Sequence, residues 1–398
     1  MHSFVLSVLS LSLPLVVQCT TYTLATSYEG STFFNGWSFS TAPDKNYGYV
    51  SFQSQAVATS QKLAYTNDAG NAIIKIDNTT VGNVNDTTFG RASVFMTSNA
   101  AVNPGSLVLF DAVHIPYGVS HPHCSAPASD SCTMPVQCSV WPAFFLMGND
   151  WPNNGEIDIV ENVNLATSAQ YSLHTLNGCT HPSSSSGESG TLVSTDCYNA
   201  TNGNQGCIVR ESQANSFGSG FSSVGGGGFA TLFSESGIST WFFPRASIPS
   251  DFTSSSPNPS NWGLPSAYYP SSACNVTQFF GPQSIIIDID ICGAWAGVAS
   301  VYNSGGCTGN CVDLLKNPTN YDTAYFEIKS LKVFTENTSN GSVTAPIPSQ
   351  SGTTTASPSS TNKSSAMSTP WKMIGGLAWG SLFSHWLHRT STLPPEVS

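Results

Sequence analysis

The chain has 398 residues, of which 12 are basic and 23 acidic, and charged residues make up only 9% of it, leaving a formal net charge of −11. That balance argues against nucleic acid or an anionic membrane surface as a partner, since both select clustered positive charge. It suits a neutral polymer held by aromatic faces and uncharged hydrogen bonds; no clear membrane partner is indicated, and a monomer is expected.

Residues 1–19 begin Met1-His2-Ser3 and continue as an apolar run rich in Leu, Val and Ser, ending Val17-Gln18-Cys19. The run is too short to span a bilayer and ends in residues that suit signal-peptidase cleavage, although a basic start is missing. It predicts a secretory signal and hence a secreted, extracellular protein. With Cys19 assigned to the signal, ten cysteines remain: Cys124, Cys132, Cys138, Cys179, Cys197, Cys207, Cys274, Cys292, Cys307 and Cys311. An even number in a secreted chain reads as disulfides, with the pairing left open. No Cys-x-x-Cys spacing occurs and no histidines accompany these cysteines at zinc-site spacing, so no metal is expected. No local run of oxygen ligands demands calcium, and no cofactor is expected. Seven Asn-x-Ser/Thr sequons, at Asn78, Asn85, Asn199, Asn275, Asn337, Asn340 and Asn362, fit a glycoprotein.

Residues 20–335 read as one domain of short apolar runs broken by turn residues, with little helical periodicity. Tyr47–Phe52, Ser106–Phe110, Ser284–Ile289 and Tyr325–Phe334 are strand candidates; in the last, Phe326, Ile328 and Leu331 imply a bulge or a change of face. Gly225–Gly228 and the prolines near Pro257 mark loops. Many short strands with such punctuation predict an all-β, antiparallel sandwich. Residues 336–370 turn to Ser, Thr, Pro and Asn, which cannot build a core and read as a flexible linker. Residues 371–398 carry a short apolar segment, Trp371–Phe383, and a polar tail. The segment is too short and glycine-rich for a membrane helix, and it is not terminal as a glycolipid-anchor signal would be. Its role, including cell-wall or membrane association, stays open.

Three of the acidic residues fall within six positions, Glu156-Ile157-Asp158-Ile159-Val160-Glu161. The intervening residues are strand formers. On a regular strand Glu156 and Asp158 share a face and Glu161 falls on the other. A β-bulge between Asp158 and Glu161 would bring all three carboxyls to one side. Carboxylates at close range cannot all ionise, so at least one keeps its proton near neutral pH, supplying both a nucleophile and a proton donor. The competing reading is a solvent-facing strand that merely alternates acid and Ile. The neighbours speak against it: Trp141 and Trp151 offer faces that suit sugar rings, and His174 could tune the acid.

Taken with these neighbours, the sequence resembles glycoside hydrolase family 16, and within it the fungal laminarinase-like endo-β-1,3(4)-glucanases. The resemblance rests on Asp111–Gly118, Trp141-Pro142-Ala143-Phe144, Trp151–Glu161, Leu173-His174-Thr175, Trp241–Arg245, Cys292-Gly293 with Trp295-Ala296-Gly297, Asn317-Pro318 with Asn320-Tyr321, and Ala324–Glu327, and it runs from about Tyr22 to Phe334. It implies a β-jelly-roll sandwich of the concanavalin-like kind with a concave substrate cleft. It also implies Glu156 as nucleophile, Glu161 as acid/base and Asp158 as assisting carboxylate, with Trp141, Trp151 and His174 in contact with substrate. The implied function is a retaining endo-glycosidase acting on β-1,3, mixed 1,3/1,4 or branched 1,3/1,6 glucan. A cell-wall glucan transglycosylase is the alternative enzyme reading, and a non-catalytic β-glucan lectin the non-enzyme one. Four places depart from the family pattern: Phe95 stands for an Arg, Phe145 for a Trp, Leu232-Phe233 for an acid–Trp pair and Ala294 for an Asp. An insertion carrying Cys124 and Cys132 also separates Gly118 from Cys138. All are expected to bear on subsite contacts and none on the carboxyls.

Overall fold

Strict alternation sets the layers. In Gln283–Ile291 the side chains of Ile285, Ile287, Ile289 and Ile291 point to one face and are at most 1% exposed, while Ile286, Asp288 and Asp290 point to the other. Two such sheets packed by their apolar faces make a sandwich. The computed structural model describes residues 20–83, 85–118, 138–184 and 187–337. The expected signal at 1–19, nearly all of the expected linker at 336–370, residues 371–398, and Cys124 and Cys132 lie outside the described residues.

In chain order the strands are β1 (Tyr22–Glu29), β2 (Trp37–Phe39), β3 (Val50–Phe52), β4 (Ala64–Thr66), β5 (Ala72–Lys75), β6 (Arg91–Ser93), β7 (Phe95–Val102), β8 (Ser106–His114) and β9 (Val140–Gly148). They continue as β10 (Glu156–Glu161), β11 (Gln170–His174), β12 (Thr191–Leu192), β13 (Cys207–Arg210), β14 (Gly227–Ser234), β15 (Gly237–Pro244), β16 (Ala267–Pro270), β17 (Gln283–Ile291) and β18 (Tyr325–Glu336). A first sheet has the order β16-β15-β14-β8-β18-β5-β4, with β1 also paired to β18. A second has the order β12-β13-β11-β10-β9-β17-β7-β2. All pairings within both are antiparallel; β3 and β6 form a separate parallel pair. Long crossovers between neighbouring strands make this the expected jelly roll.

Between the sheets, Phe110 on β8 stacks on Phe144 of β9 with ring centroids 4.2 Å apart. Truncating a buried ring of this kind to Ala costs about 3–5 kcal/mol. A second apolar cluster, with Leu107, Leu109, Trp241 and Phe243, covers the outer face of the first sheet, roofed by Phe252 and Trp262. Four disulfides resolve the pairing of eight cysteines: Cys138–Cys307, Cys179–Cys274, Cys197–Cys207 and Cys292–Cys311.

Three local expectations change. In Tyr47–Phe52 only Val50–Phe52 is strand, because Tyr47 adopts a left-handed φ of 59° that breaks the extension. Gly227 and Gly228 belong to β14 rather than a loop; a side chain at Gly228 would run into the Phe252 ring, so close packing, not flexibility, demands glycine there. Leu232-Phe233 lies in the first sheet, with Phe233 buried in the core against Phe280, so this departure makes no subsite contact. The expected bulge in β18 is present: the register with β8 shifts on both sides of Ile328, and Phe326, Ile328 and Leu331 are all fully buried.

Candidate active site

The turn before β10 aims the first carboxyl. Asn154 N donates to Asp150 O and Gly155 N to Pro152 O, and Gly148 N closes back onto Gly155 O. Gly155 has φ 71°, and a Cβ there would lie 2.4 Å from the Phe280 ring, so only glycine delivers the chain into β10 at this angle. Trp151 sits on this same turn, 39% exposed, five residues before Glu156.

Along β10 the core takes Ile157, Ile159 and Val160, each at most 1% exposed. Two consecutive residues facing inward require an extra residue in the strand. The ladder shows it: Glu156 pairs with His174, Ile157 with Leu173 and Asp158 with Ser172, after which the register slips and Glu161 pairs with Gln170. The expected bulge thus puts Glu156, Asp158 and Glu161 on the outer face of the second sheet, with Asp158 between the glutamates. Across β9 the same row reads Asp158–Phe145 and Glu161–Ala143, and β17 continues it with Ile286 and Asp288.

The carboxyls share partners. Trp141 Nε1 donates to Glu161 Oε1 at 2.8 Å. Ser172 Oγ donates to Asp158 Oδ2 at 2.6 Å. His174 Nε2 lies 3.2 Å from the same oxygen, and its Nδ1 is 3.1 Å from Asn204 Oδ1. With an acceptor on each ring nitrogen, His174 donates from both as an imidazolium. Burial alone would push it down, but the Asp158 hydrogen bond and the charges of Asp158, Glu156 and Glu161 outweigh that and raise it to about 10. Nearest atoms of Glu156, Asp158 and His174 lie within 4.8 Å of one another, a spacing that also suits a metal ion.

Glu161 is pushed up to about 8, first by burial and then by the charge of Asp158, with the Trp141 hydrogen bond opposing. Glu156 is held well above the usual carboxylate range by burial and then by Asp158. Both glutamates therefore resist ionisation more than an ordinary carboxyl does, an environment suited to a proton donor.

Of the residues singled out from sequence, Glu156, Asp158, Glu161, Trp141 and His174 come together. Trp151 flanks them on its turn. His174 bonds Asp158 rather than Glu161, so its influence on the acid is indirect. Ser172, Asn204 and Trp295 were missed as parts of the site. Ser172 was legible, lying two residues before His174 on the same strand face; Asn204 comes from a distant loop and had no sequence signal. Trp295 meets Trp141 edge-on at 5.5 Å. Phe95 and Phe145 do stand on this face, beside Asp288 and Asp158 in the register.

A two-sheet jelly roll whose outer face carries three clustered carboxyls between aromatic rings defines a carbohydrate-cleaving domain of the concanavalin-like class. A family model described as the XgeA-like, catalytic GH16 domain matches residues 37–122 and 127–334, and the chain belongs to glycoside hydrolase family 16. It is 38% identical over 317 residues to a probable glycosidase of Schizosaccharomyces pombe, covering 79% of this chain and 69% of the relative. It is 34% identical over 326 residues to a probable endo-1,3(4)-β-glucanase of Neosartorya fischeri, covering 80% of this chain but only 46% of the relative. Laminarinase 16A of Phanerochaete chrysosporium, solved with 6-O-glucosyl-laminaritriose in donor and acceptor sites, superposes with a TM-score of 0.71 at 34% identity, covering 79% of this chain and 99% of that one. An elongating family 16 β-1,3-glucosyltransferase superposes with a TM-score of 0.69 at 32% identity, covering 79% and 100%.

Proposed function

We propose that the domain hydrolyses β-1,3-glucan chains internally, with retention at the anomeric carbon, and that mixed 1,3/1,4 or branched 1,3/1,6 chains also fit. The observation that carries this is the β10 bulge, which turns Glu161 onto the face of Glu156 with the Asp158–His174 pair between them. Glu161, protonated, gives its proton to the glycosidic oxygen as the bond to the anomeric carbon breaks. Glu156, ionised, attacks that carbon and forms a glycosyl-enzyme ester. Water then attacks the same carbon, Glu161 takes the water's proton, and Glu156 leaves as carboxylate. Asp158, fixed by Ser172 Oγ and His174, lies beside Glu161 and raises its pKa, which helps Glu161 hold its proton until the leaving oxygen needs it. Trp141 both orients Glu161 and offers a ring face to the sugar; Trp151 flanks the nucleophile.

The names of the fungal relatives support β-1,3(4)-glucan as the substrate class. A second reading, transfer of the glycosyl group to a sugar hydroxyl in place of water, draws support from the elongating glucosyltransferase at 32% identity. Secretion through residues 1–19, extracellular action as a monomer, and a linker at 336–370 complete the proposal. Among the described residues no helix is long and apolar enough to cross a membrane. Incubation with laminarin, lichenan and a β-1,6-glucan, with mass analysis of products, tests it. Short laminari-oligosaccharides from laminarin are expected, products longer than the substrate would favour transfer, and no cleavage of laminarin would overturn both.

A further inference from the structure

Tyr47 is 81% exposed, the largest exposure among the large hydrophobic side chains of the described residues. Its φ of 59° lies in the left-handed region, which a bulky residue occupies only when its surroundings impose it. The surroundings do. Gly48 N donates to Asp44 Oδ2, Ala294 N donates to Asn46 O at 2.7 Å, and Tyr49 N donates to Ile291 O at 2.9 Å. Gly48 and Cys292 form an antiparallel bridge. A Cβ on Gly48 would lie 1.6 Å from Asp290 Oδ1, so the chain passes directly over the Asp290 carboxyl.

That contact fixes where the turn stands. Asp290 is on the acidic face of β17 and pairs in register with Trp141, whose indole bonds Glu161. Residues 44–48 therefore wall this face at the Trp141–Trp295 end. The ring of Tyr47 adds nothing to the core, yet it is held on a turn tied at three points and strained at its own backbone. Such a ring beside a polysaccharide cleft has the chemistry to stack on the apolar face of a sugar.

We propose that Tyr47 is a stacking platform for a glucosyl unit of the bound β-glucan, on the β17 side of Glu156 and Glu161. Two strand spacings separate β17 from β10, about 10 Å, so the ring serves a unit removed from the cleaved bond and only longer chains reach it. The inference rests on the β-glucan reading above.

The test compares the wild type with Tyr47→Ala and Tyr47→Trp on laminari-oligosaccharides of increasing length, with the cleavage position read by mass spectrometry in H₂¹⁸O. For Tyr47→Ala, kcat/KM on the longest oligosaccharides should fall about tenfold, carried by KM, as loss of a ~1.4 kcal/mol contact gives. The shortest cleaved substrate should be unaffected, the preferred cleavage position should shift, and Tyr47→Trp should restore both. An equal loss at every length, or wild-type length dependence and cleavage position in Tyr47→Ala, overturns the platform. If the wild type cleaves no laminari-oligosaccharide, the β-glucan reading has failed first and the platform falls with it.

Discussion

The two eight-stranded sheets put the same alternation to opposite uses on their outer faces. The first sheet turns Leu107, Leu109, Trp241 and Phe243 outward and roofs them with Phe252 and Trp262; on its core-facing side, Thr231 Oγ1 lies 3.1 Å from Thr240 Oγ1. The second sheet turns Glu156, Asp158, Glu161, Asp288 and Asp290 outward, and leaves Asp288 Oδ1 and Asp290 Oδ2 buried without a hydrogen-bond partner. Burial, then Asp290 and Glu161, raise Asp288 well above the usual carboxylate range, while burial and Asp44 do the same for Asp290. One face stores stability, and the other spends some of it on groups poised for chemistry.

That contrast can be broken from either side. The largest effect belongs to Glu156→Gln, expected to lower kcat on laminarin by about 10⁴-fold or more, as loss of a nucleophile does. Its thermal stability should not fall. A carboxyl whose native pKa is raised destabilises the fold as pH climbs past its unfolded value, and Gln removes that penalty. A thermal melt and a laminarin assay on one preparation check both; retained activity would break the site assignment.

Next comes the roof. Trp262→Ala should cost about 3–5 kcal/mol in chemical denaturation and leave kcat/KM within about twofold, since it removes packing far from the carboxyls. A large activity loss in still-folded protein would mean that the two faces are not independent.

Asp158→Asn sharpens the electrostatics of the acidic face. With Glu161 as the proposed acid, activity is expected to fall as pH rises through its pKa of about 8. Removing the neighbouring negative charge lowers that pKa, so the alkaline limb of the kcat profile should move to lower pH, with kcat itself down by about 10–100-fold. An alkaline limb that stays put would remove Asp158 from the account of Glu161's proton. The smallest change is expected of the double variant Thr231→Val, Thr240→Val, which replaces both partners of a buried hydrogen bond and should alter stability by about 1 kcal/mol or less.

How much of this was legible from residues alone follows the same division. The three carboxyls, the bulge between Asp158 and Glu161, and the meeting with Trp141 and His174 were readable, because strand alternation and one break in it act within a few residues. The strand at Ser284–Ile289 was readable as a strand, but Asp288 and Asp290 gave no sign that their face would meet the carboxyls of β10, since β9 comes between. Asn204 and Asp44 reach the acidic face from loops far away in sequence. Leu232-Phe233 misled for the complementary reason: resemblance marked the pair as unusual, and only the pairing of β14 with β8 and β15 assigns it to the other sheet.

The central claim is that Glu156 and Glu161 act as a nucleophile and acid/base pair on one face of a bulged strand. Proton NMR of the first products released from laminarin tests it most directly, before mutarotation mixes the anomers. Double displacement predicts that the new reducing end appears as the β-anomer and drifts toward the equilibrium mixture. An α-anomer appearing first would mean single displacement by water, and would contradict the role given to Glu156.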